Sequence, residues 1–357
     1  MTQFSLGKPR RAAANFIYIL SGAFIVFILF KIVSTDLLFP VLPNRFPKAF
    51  SLLLLMSIAL LCAISFILIS GFIKFNEKIH DRYILFILFS ISIVLSMALI
   101  FTTRIAPKSD FLTYYKTAVG IVDGRAYIPD YVAVFPHTMG LSAVLSLVFF
   151  ISGPSVISAQ LLESAFSAVS VMLVYVLGKK FMGRQTGIAA AALWLFMPSR
   201  IMHTLLICTE NVFNCLALCS MLLFVKAAES AGSRSGWQCI TLFGLSGLLF
   251  SILAAIRPNG LILFIACLVV FVLFTDSKDV LHFRNFSIIQ PIIKPACITV
   301  LAIAYLVAGF IVNAAIEAHI GERTVETRTG WNLYVGMNEQ SRGQWNAEDS
   351  ELFSKLL

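Results

Sequence analysis

Charge is scarce in this chain. Asp, Glu, Lys and Arg make up 13% of its 357 residues, against 59% hydrophobic residues and a mean hydropathy of +0.90. A soluble globular domain carries about 25% charged and about 45–50% apolar residues, so a water-soluble fold is excluded. The apolar runs are continuous and do not alternate with polar residues. Only helices and closed barrels satisfy their backbone in lipid, and continuous runs select helices. No basic domain exists. The net charge of +9 is spread over short loops, which argues against a nucleic-acid partner. The seven cysteines, at 62, 208, 215, 219, 239, 267 and 297, lie in or beside apolar spans without the spacing of metal ligands. No disulfide framework is implied, and Cys215 and Cys219, one helical turn apart, read as small core residues. The internal repeat common in transporters is missing. No A-x-A cleavage site follows the basic N-terminus MTQFSLGKPRRAAANF, so it leads into an uncleaved first span.

What is present is a series of apolar runs near the ~20 residues a helix needs to cross a bilayer. The fold class is therefore an all-α polytopic membrane protein, a helical bundle. The first spans fall at about 15–34, 50–73 and 83–103. Lys and Arg favour the cytoplasmic side, which puts the N-terminus and the loop KFNEKIHDR inside and the loop 104–139 outside. Segments 136–152 and 155–177 then pose a choice. If both cross, the basic loops 179–185 and 278–294 lie outside, against the charge rule. If 136–152 is re-entrant or interfacial, every basic loop, 226–237 included, falls inside. The second arrangement is preferred. It places the turn between spans 187–207 and 210–227, the turn Arg257-Pro258-Asn259-Gly260 and the segment after the last span, 295–315, on the side of the 104–139 loop.

That loop, Arg104 to Met139, is far more polar than a turn between spans requires. It carries Asp110, Tyr114, Tyr115, Lys116, Asp123, Arg125, Asp130 and His137. Phe111, Tyr114, Tyr115 and Ala118 have helical spacing and predict a short helix on the membrane surface with Asp110 at its start. Asp110 reads either as a helix cap or as a general base, since partial desolvation raises a carboxylate into a useful range. Glu210, with Asn211 and Asn214 beside it, sits at the mouth of a span, where an ionisable residue is a functional candidate or an anion at a helix N-terminus. Arg257 ends a span ahead of Pro258. It suits a phosphate or snorkels to headgroups. Arg200 and His203, three apart on one helical face, are candidates to assist Arg257. His137, after Pro136, could bind substrate or carry a proton.

The C-terminal stretch TRTGWNLYVGMNEQSRGQWNAEDSELF holds two Trp-Asn pairs, Trp331-Asn332 and Trp345-Asn346, with Asn338, Glu348 and Asp349. Aromatic rings beside planar polar groups suit carbohydrate; an ordinary lid is the plainer alternative.

The motifs SDFLTYYKTA, YVAVFPHTMGL, LVYVLGKKFMG, FMPSRIMHTLLICTENVF, AAIRPNG and GWNLYVGMNEQSRGQWNAED occur in an order that resembles polyprenyl-phosphate-sugar-dependent membrane glycosyltransferases of the GT-C fold. The likeness is to glycosyltransferase family 39, the protein mannosyltransferase and aminoarabinose transferase type, over roughly residues 100–350. It implies an enzyme of the cell envelope, multi-pass in the cell membrane, with its active site extracytoplasmic. A sugar would pass from a polyprenyl-phosphate donor to a glycan, lipid or protein acceptor, with inversion. Asp110 matches the catalytic carboxylate of the first outer loop, although Phe111 stands where some members have a second acid. Tyr114, His137, Arg200, His203, Glu210, Arg257, Trp331 and Asn332 are the expected substrate-binding residues. No metal site is expected; a divalent cation shared by Asp110 and Glu210 stays open. The expected domains are a transmembrane GT-C-like unit at 1–315, with extra spans in 1–103 and the catalytic loop at 104–139, and the start of an extracytoplasmic segment at 316–357. Family members commonly continue further, so a C-terminally truncated chain is an expectation. The rival readings are a transporter or flippase of lipid-linked sugars and a non-catalytic paralogue.

Overall fold

The computed structural model describes residues 79–230, 236–274, 293–324, 334–341, 343–344 and 346–356. The expected spans at 15–34 and 50–73, and the pair Trp331-Asn332, lie outside these residues.

Among the described residues every regular element is helical. The helices are α1 (Asp81–Thr102), α2 (Asp110–Val122), α3 (Pro129–Val134), α4 (Thr138–Ser152), α5 (Val156–Met182), α6 (Arg184–Leu195), α7 (Pro198–Met202), α8 (Thr209–Ser230), α9 (Gly236–Ile256), α10 (Gly260–Phe274), α11 (Ile293–Ile320) and α12 (Ala347–Leu356). Five of them are long and apolar enough to cross a membrane, within α1, α5, α8, α9 and α11. The bent pair α6–α7 makes up to six. The polytopic all-α architecture expected from composition is what the chain adopts.

The expected span 187–207 is broken. Pro198 has no N–H to give and cannot continue the preceding helix, and the two segments meet at 54°. A broken helix leaves carbonyls without partners, which is costly away from water. Arg200 resolves this. Its Nε donates to Trp194 O at 2.8 Å and its Nη2 to Leu195 O at 2.6 Å, while Nη1 reaches Ser92 Oγ at 3.0 Å and Ser167 Oγ. The guanidinium closes the C-terminus of α6 and ties it to α1 and α5.

Helix α4 falls among the shorter apolar helices and is not one of the five candidate spans. Its 15 residues span ~22 Å at 1.5 Å each, short of the ~30 Å hydrocarbon core. Both of its ends also lie at one end of the bundle. At its start, a Cβ on Gly140 would sit 2.4 Å from Ala255 O, so the backbone of α4 presses on the last turn of α9. At its finish, Ser152 Oγ lies 3.1 Å from Ser158 Oγ on the first turn of α5. One turn further, Gln160 Nε2 donates to Leu205 O at 2.7 Å, beside the start of α8. Leu147, Phe150 and Ile151 stay exposed, as side chains facing lipid would.

Packing in lipid gains little from the hydrophobic effect and depends on close contact. Between α8, α9, α10 and α11 that contact is a cluster of rings: Phe224, Phe243, Phe250, Phe264 and Phe271 are buried. Phe224 meets Phe243 and Phe250 edge-on at 5.9 and 6.2 Å, an arrangement worth about 0.5–1.5 kcal/mol per pair beyond area. Gly247 lets α9 approach α11, since a Cβ there would meet Leu301 O at 2.4 Å. A second core, Leu88, Val171, Tyr175, Ala191 and Leu195, joins α1, α5 and α6. The described cysteines are free of disulfides.

The two ends of the bundle differ. At one end Asp81 accepts from Tyr175 OH at 2.7 Å and from Lys179, with Arg184 Nε 3.6 Å away, and Lys180 pairs with Glu229 at 2.6 Å. This basic end joins the start of α1, the end of α5, the start of α6 and the end of α8. At the opposite end lie α2, α3, both ends of α4, the start of α8 and the α9–α10 turn. There α3 packs through Val132 and Ala133 on Ile316 and Ile320, the last turns of α11. In the C-terminal segment, Asn346 Oδ1 accepts from Asp349 N at 2.7 Å, an N-cap for α12. Asn338 Nδ2 donates to both Asp349 oxygens at 2.9 Å.

Candidate functional site

The polar end is built on α2. Apolar spacing gives this helix an inner face, with Thr117, Ala118 and Gly120 buried. Phe111, Tyr114 and Tyr115 pack against Leu141, Leu145 and Phe149 of α4, Ile207 and Val212 at the start of α8, and Ile256 at the end of α9. Tyr115 stands edge-on to Phe149 at 5.2 Å, and Ser142 Oγ donates to Tyr114 O at 3.1 Å. These contacts bring a loop helix over the mouths of two spans.

Asp110 is the first residue of α2, exposed on the polar side. The N-cap residue, Ser109, makes no side-chain cap hydrogen bond. The helix dipole favours an anion at this place. Ser109, just before it, has φ 50°, and Ile128, just before α3, has φ 46°. Positive φ is costly for a β-branched residue such as Ile128. Strain of this kind persists only where surrounding structure enforces it, and it gathers at functional sites. Here it flanks the two loop helices that carry Asp110 and Tyr131.

Tyr114 lies one turn after Asp110. Burial pushes its hydroxyl up to about 12, with the charge of Asp110 next in effect, then Tyr131 and Glu210; Arg257 acts in the opposite sense. One phenol therefore lies within electrostatic reach of all four groups. Tyr131 is raised likewise, first by burial and then by Asp110. Arg257 Nη1 and Glu210 Oε1 form an ion pair at 3.1 Å, with side chains 39% and 28% exposed. The pair joins the start of α8 to the turn after α9. It engages one nitrogen of a fork that carries five N–H donors, and both side chains reach the surface. An anion could thus bind Arg257 while Glu210 holds the fork in place.

The structure pairs Glu210 with Arg257 and sets both, with Asp110, within electrostatic reach of Tyr114. His137 lies at the start of α4, with its ring edge-on to Phe135 at 6.1 Å. Arg200 is a correction. It is 2% exposed and its donors are taken by Trp194, Leu195, Ser92 and Ser167, so it does not join Arg257. Nor does it share a helix with His203, which opens a separate 3-10 turn, His203–Leu205. Sequence reasoning missed Tyr131, whose relation to Asp110 depends on how the loop folds. It also missed Glu163, fully buried in α5. A lone acid eight residues into an apolar run was a signal in plain view, because such residues are rare in spans and mark function. Among the described residues no group of three or more His, Cys, Asp or Glu side chains could hold a metal ion.

Residues 136–310 match the family described as dolichyl-phosphate-mannose-protein mannosyltransferase. The mannosyltransferase match starts at Pro136 and takes in α4 to α10 and most of α11, with His137, Glu210 and Arg257 inside it and Asp110 outside. It supports a membrane glycosyltransferase that uses a lipid-linked sugar. No curated protein and no solved structure gave a match.

Proposed function

We propose that the chain transfers a sugar from a polyprenyl-phosphate donor to a hydroxyl acceptor at the polar end of the bundle, on the extracytoplasmic side, and inverts the anomeric centre. The observation that carries this reading is that Tyr114 lies within electrostatic reach of both an exposed carboxylate, Asp110, and an anchored arginine, Arg257, in a chain similar to mannosyltransferases. The acceptor oxygen attacks the anomeric carbon and its proton passes to Asp110. The bond from that carbon to the phosphate oxygen breaks, and the electron pair leaves with the polyprenyl phosphate. A phosphate leaving group needs no acid, unlike the alkoxide of a glycoside. Arg257 meets the charge that grows on the phosphate, in a fixed position held by Glu210. Tyr114 stays protonated and donates a hydrogen bond towards the sugar or the acceptor. His137 and His203 belong to the surrounding pocket, and Arg200 serves the frame. The prenyl chain lies along the lipid-facing helices.

The test is turnover of radiolabelled polyprenyl-phosphate sugars by the purified full chain, beside Asp110→Asn. Transfer by the wild type, with at least a hundredfold loss in the variant, is expected, since a positioned base contributes about 10²–10⁴-fold. Full transfer by Asp110→Asn would overturn the assignment of the base. Binding of donor without transfer by the wild type would favour a non-catalytic paralogue. Movement of donor across a vesicle wall without transfer would favour a flippase.

A further inference from the structure

The mechanism above makes no use of Glu163, yet this is a fully buried carboxyl in the most expensive place to keep one. It lies on α5, three residues after Gln160, whose Nε2 holds Leu205 O at 2.7 Å. The side chain of Asn211 and the backbone of Cys208 face the Glu163 carboxyl, and the charge of Glu210 is within range of it. Cys208, Glu210 and Asn211 are the residues that lead into and open α8. Asn211 is itself 1% exposed. Neither Glu163 oxygen nor Asn211 Nδ2 completes a hydrogen bond of normal geometry. Two buried polar side chains thus stand against each other, immediately behind the residue that pairs with Arg257.

We propose that Glu163 is a positioning residue: through Asn211 and the first turn of α8 it sets the place of Glu210, and through Glu210 the place of Arg257. This rests on the reading of Arg257 as the phosphate-binding group. Helix α5 then grips the start of α8 at two successive turns, by Gln160 on Leu205 and by Glu163 on Asn211. The first contact holds the chain entering the helix. The second fixes the helix's rotation, and so the direction in which the next-door side chain of Glu210 leaves it. The role depends on hydrogen-bonding groups at position 163 and not on shape alone, which separates it from ordinary core packing.

The experiment uses the full chain in detergent with polyprenyl monophosphate as the binding probe and a polyprenyl-phosphate sugar as the transfer substrate. The variants are Glu163→Gln, Glu163→Leu, Asn211→Leu, Arg257→Ala and the double variant Glu163→Leu/Arg257→Ala. Expected are at least tenfold weaker binding and a raised donor KM for Glu163→Leu and for Asn211→Leu, with kcat reduced less than KM rises. Glu163→Gln should restore binding to within about threefold, because an amide keeps polar partners for Asn211. Arg257→Ala should add little in the Glu163→Leu background, since residues acting as one unit are non-additive. Donor affinity in Glu163→Leu and Asn211→Leu equal to wild type would overturn the inference. So would additive losses in the double variant. Should Glu163→Leu fail to fold, Asn211→Leu and Glu163→Gln carry the same test, and wild-type affinity in the former overturns the inference. A wild type that does not bind the probe, or binds it regardless of Arg257, overturns the phosphate reading and this inference together. Loss with Arg257→Ala but none at 163 or 211 overturns the inference alone.

Discussion

Tyr114 is surrounded by two carboxylates and one guanidinium, and its burial dominates them all. Its folded-state pKa of about 12 exceeds the ordinary value near 10. The sign follows from linkage: the neutral phenol is favoured by the fold, so its contribution is complete below pH 10 and is lost as pH rises through 12. Alkaline difference spectra of wild type against Tyr114→Phe should show one phenol that titrates near 12, above the exposed tyrosines. The ion pair beside it carries a second expectation. Removing one partner of a half-buried pair leaves the other without its match, so Glu210→Ala should weaken donor binding nearly as much as Arg257→Ala, with the two losses less than additive in a double-mutant cycle. Additive losses would mean that Glu210 acts on the substrate by a separate route.

The elements behave as units with one weak joint each. The α6–α7 break is held by Arg200, whose four hydrogen bonds reach two carbonyls and two serines. Replacing it with Met keeps the bulk and removes every donor. Stability should fall by about 2–4 kcal/mol, as hydrogen bonds to a charged group contribute about 1.5–3 kcal/mol each and part of that offsets desolvation of the charge. Thermal unfolding in detergent checks this, and an unchanged midpoint would refute it. Helix α4 has its own tight point. A methyl on Gly140 would overlap the carbonyl of Ala255, two residues before Arg257. Gly140→Ala should therefore push α4 and α9 apart and lower donor affinity about tenfold, on the reasoning that small displacements of a positioned group have large effects. Gly153, at the other end of α4, has open space around its missing Cβ but a φ of 75°, so a substitution there strains the turn and leaves the α4–α9 contact alone.

At the scale of the whole molecule, the chain is a bundle with a basic end and a polar loop-covered end. The two ends predict a labelling pattern. In a cysteine-free background, cysteines at Asp123 and Gly153 should react with an impermeant thiol reagent from one side of a sealed vesicle. A cysteine at Met182, beside the Lys179 and Arg184 cluster, should react from the other. Labelling of 123 and 153 from opposite sides would mean that α4 crosses. With α4 re-entrant, the loop charges follow the positive-inside rule throughout, and the polar end falls on the extracytoplasmic side as proposed.

Much of this was legible from composition and spacing. Continuous apolar runs exclude soluble folds and barrels. Loop charge favours a re-entrant or interfacial segment at 136–152, and the helix there is shorter than the candidate spans. The spacing of Phe111, Tyr114, Tyr115 and Ala118 predicted a short helix with Asp110 near its N-terminus, and α2 starts there, because an amphipathic helix is a local property of the chain. The order of short motifs resembles that of sugar-transferring membrane enzymes, and the mannosyltransferase match over residues 136–310 agrees with it. What the chain alone could not decide was which polar groups meet. Arg200 and Arg257 look alike in sequence, each within two residues of a proline. One is turned inward to close a broken helix; the other is left at the surface to pair with Glu210 from a different span. Likewise Asn338 and Asp349 bond to each other, and Glu163 faces Asn211 across 48 residues of sequence. Side-chain direction at a helix end depends on what packs beside it, and that neighbour comes from elsewhere in the chain. Period and composition carry local order and burial; the pairing of charges is a long-range fact that only the packed helices determine.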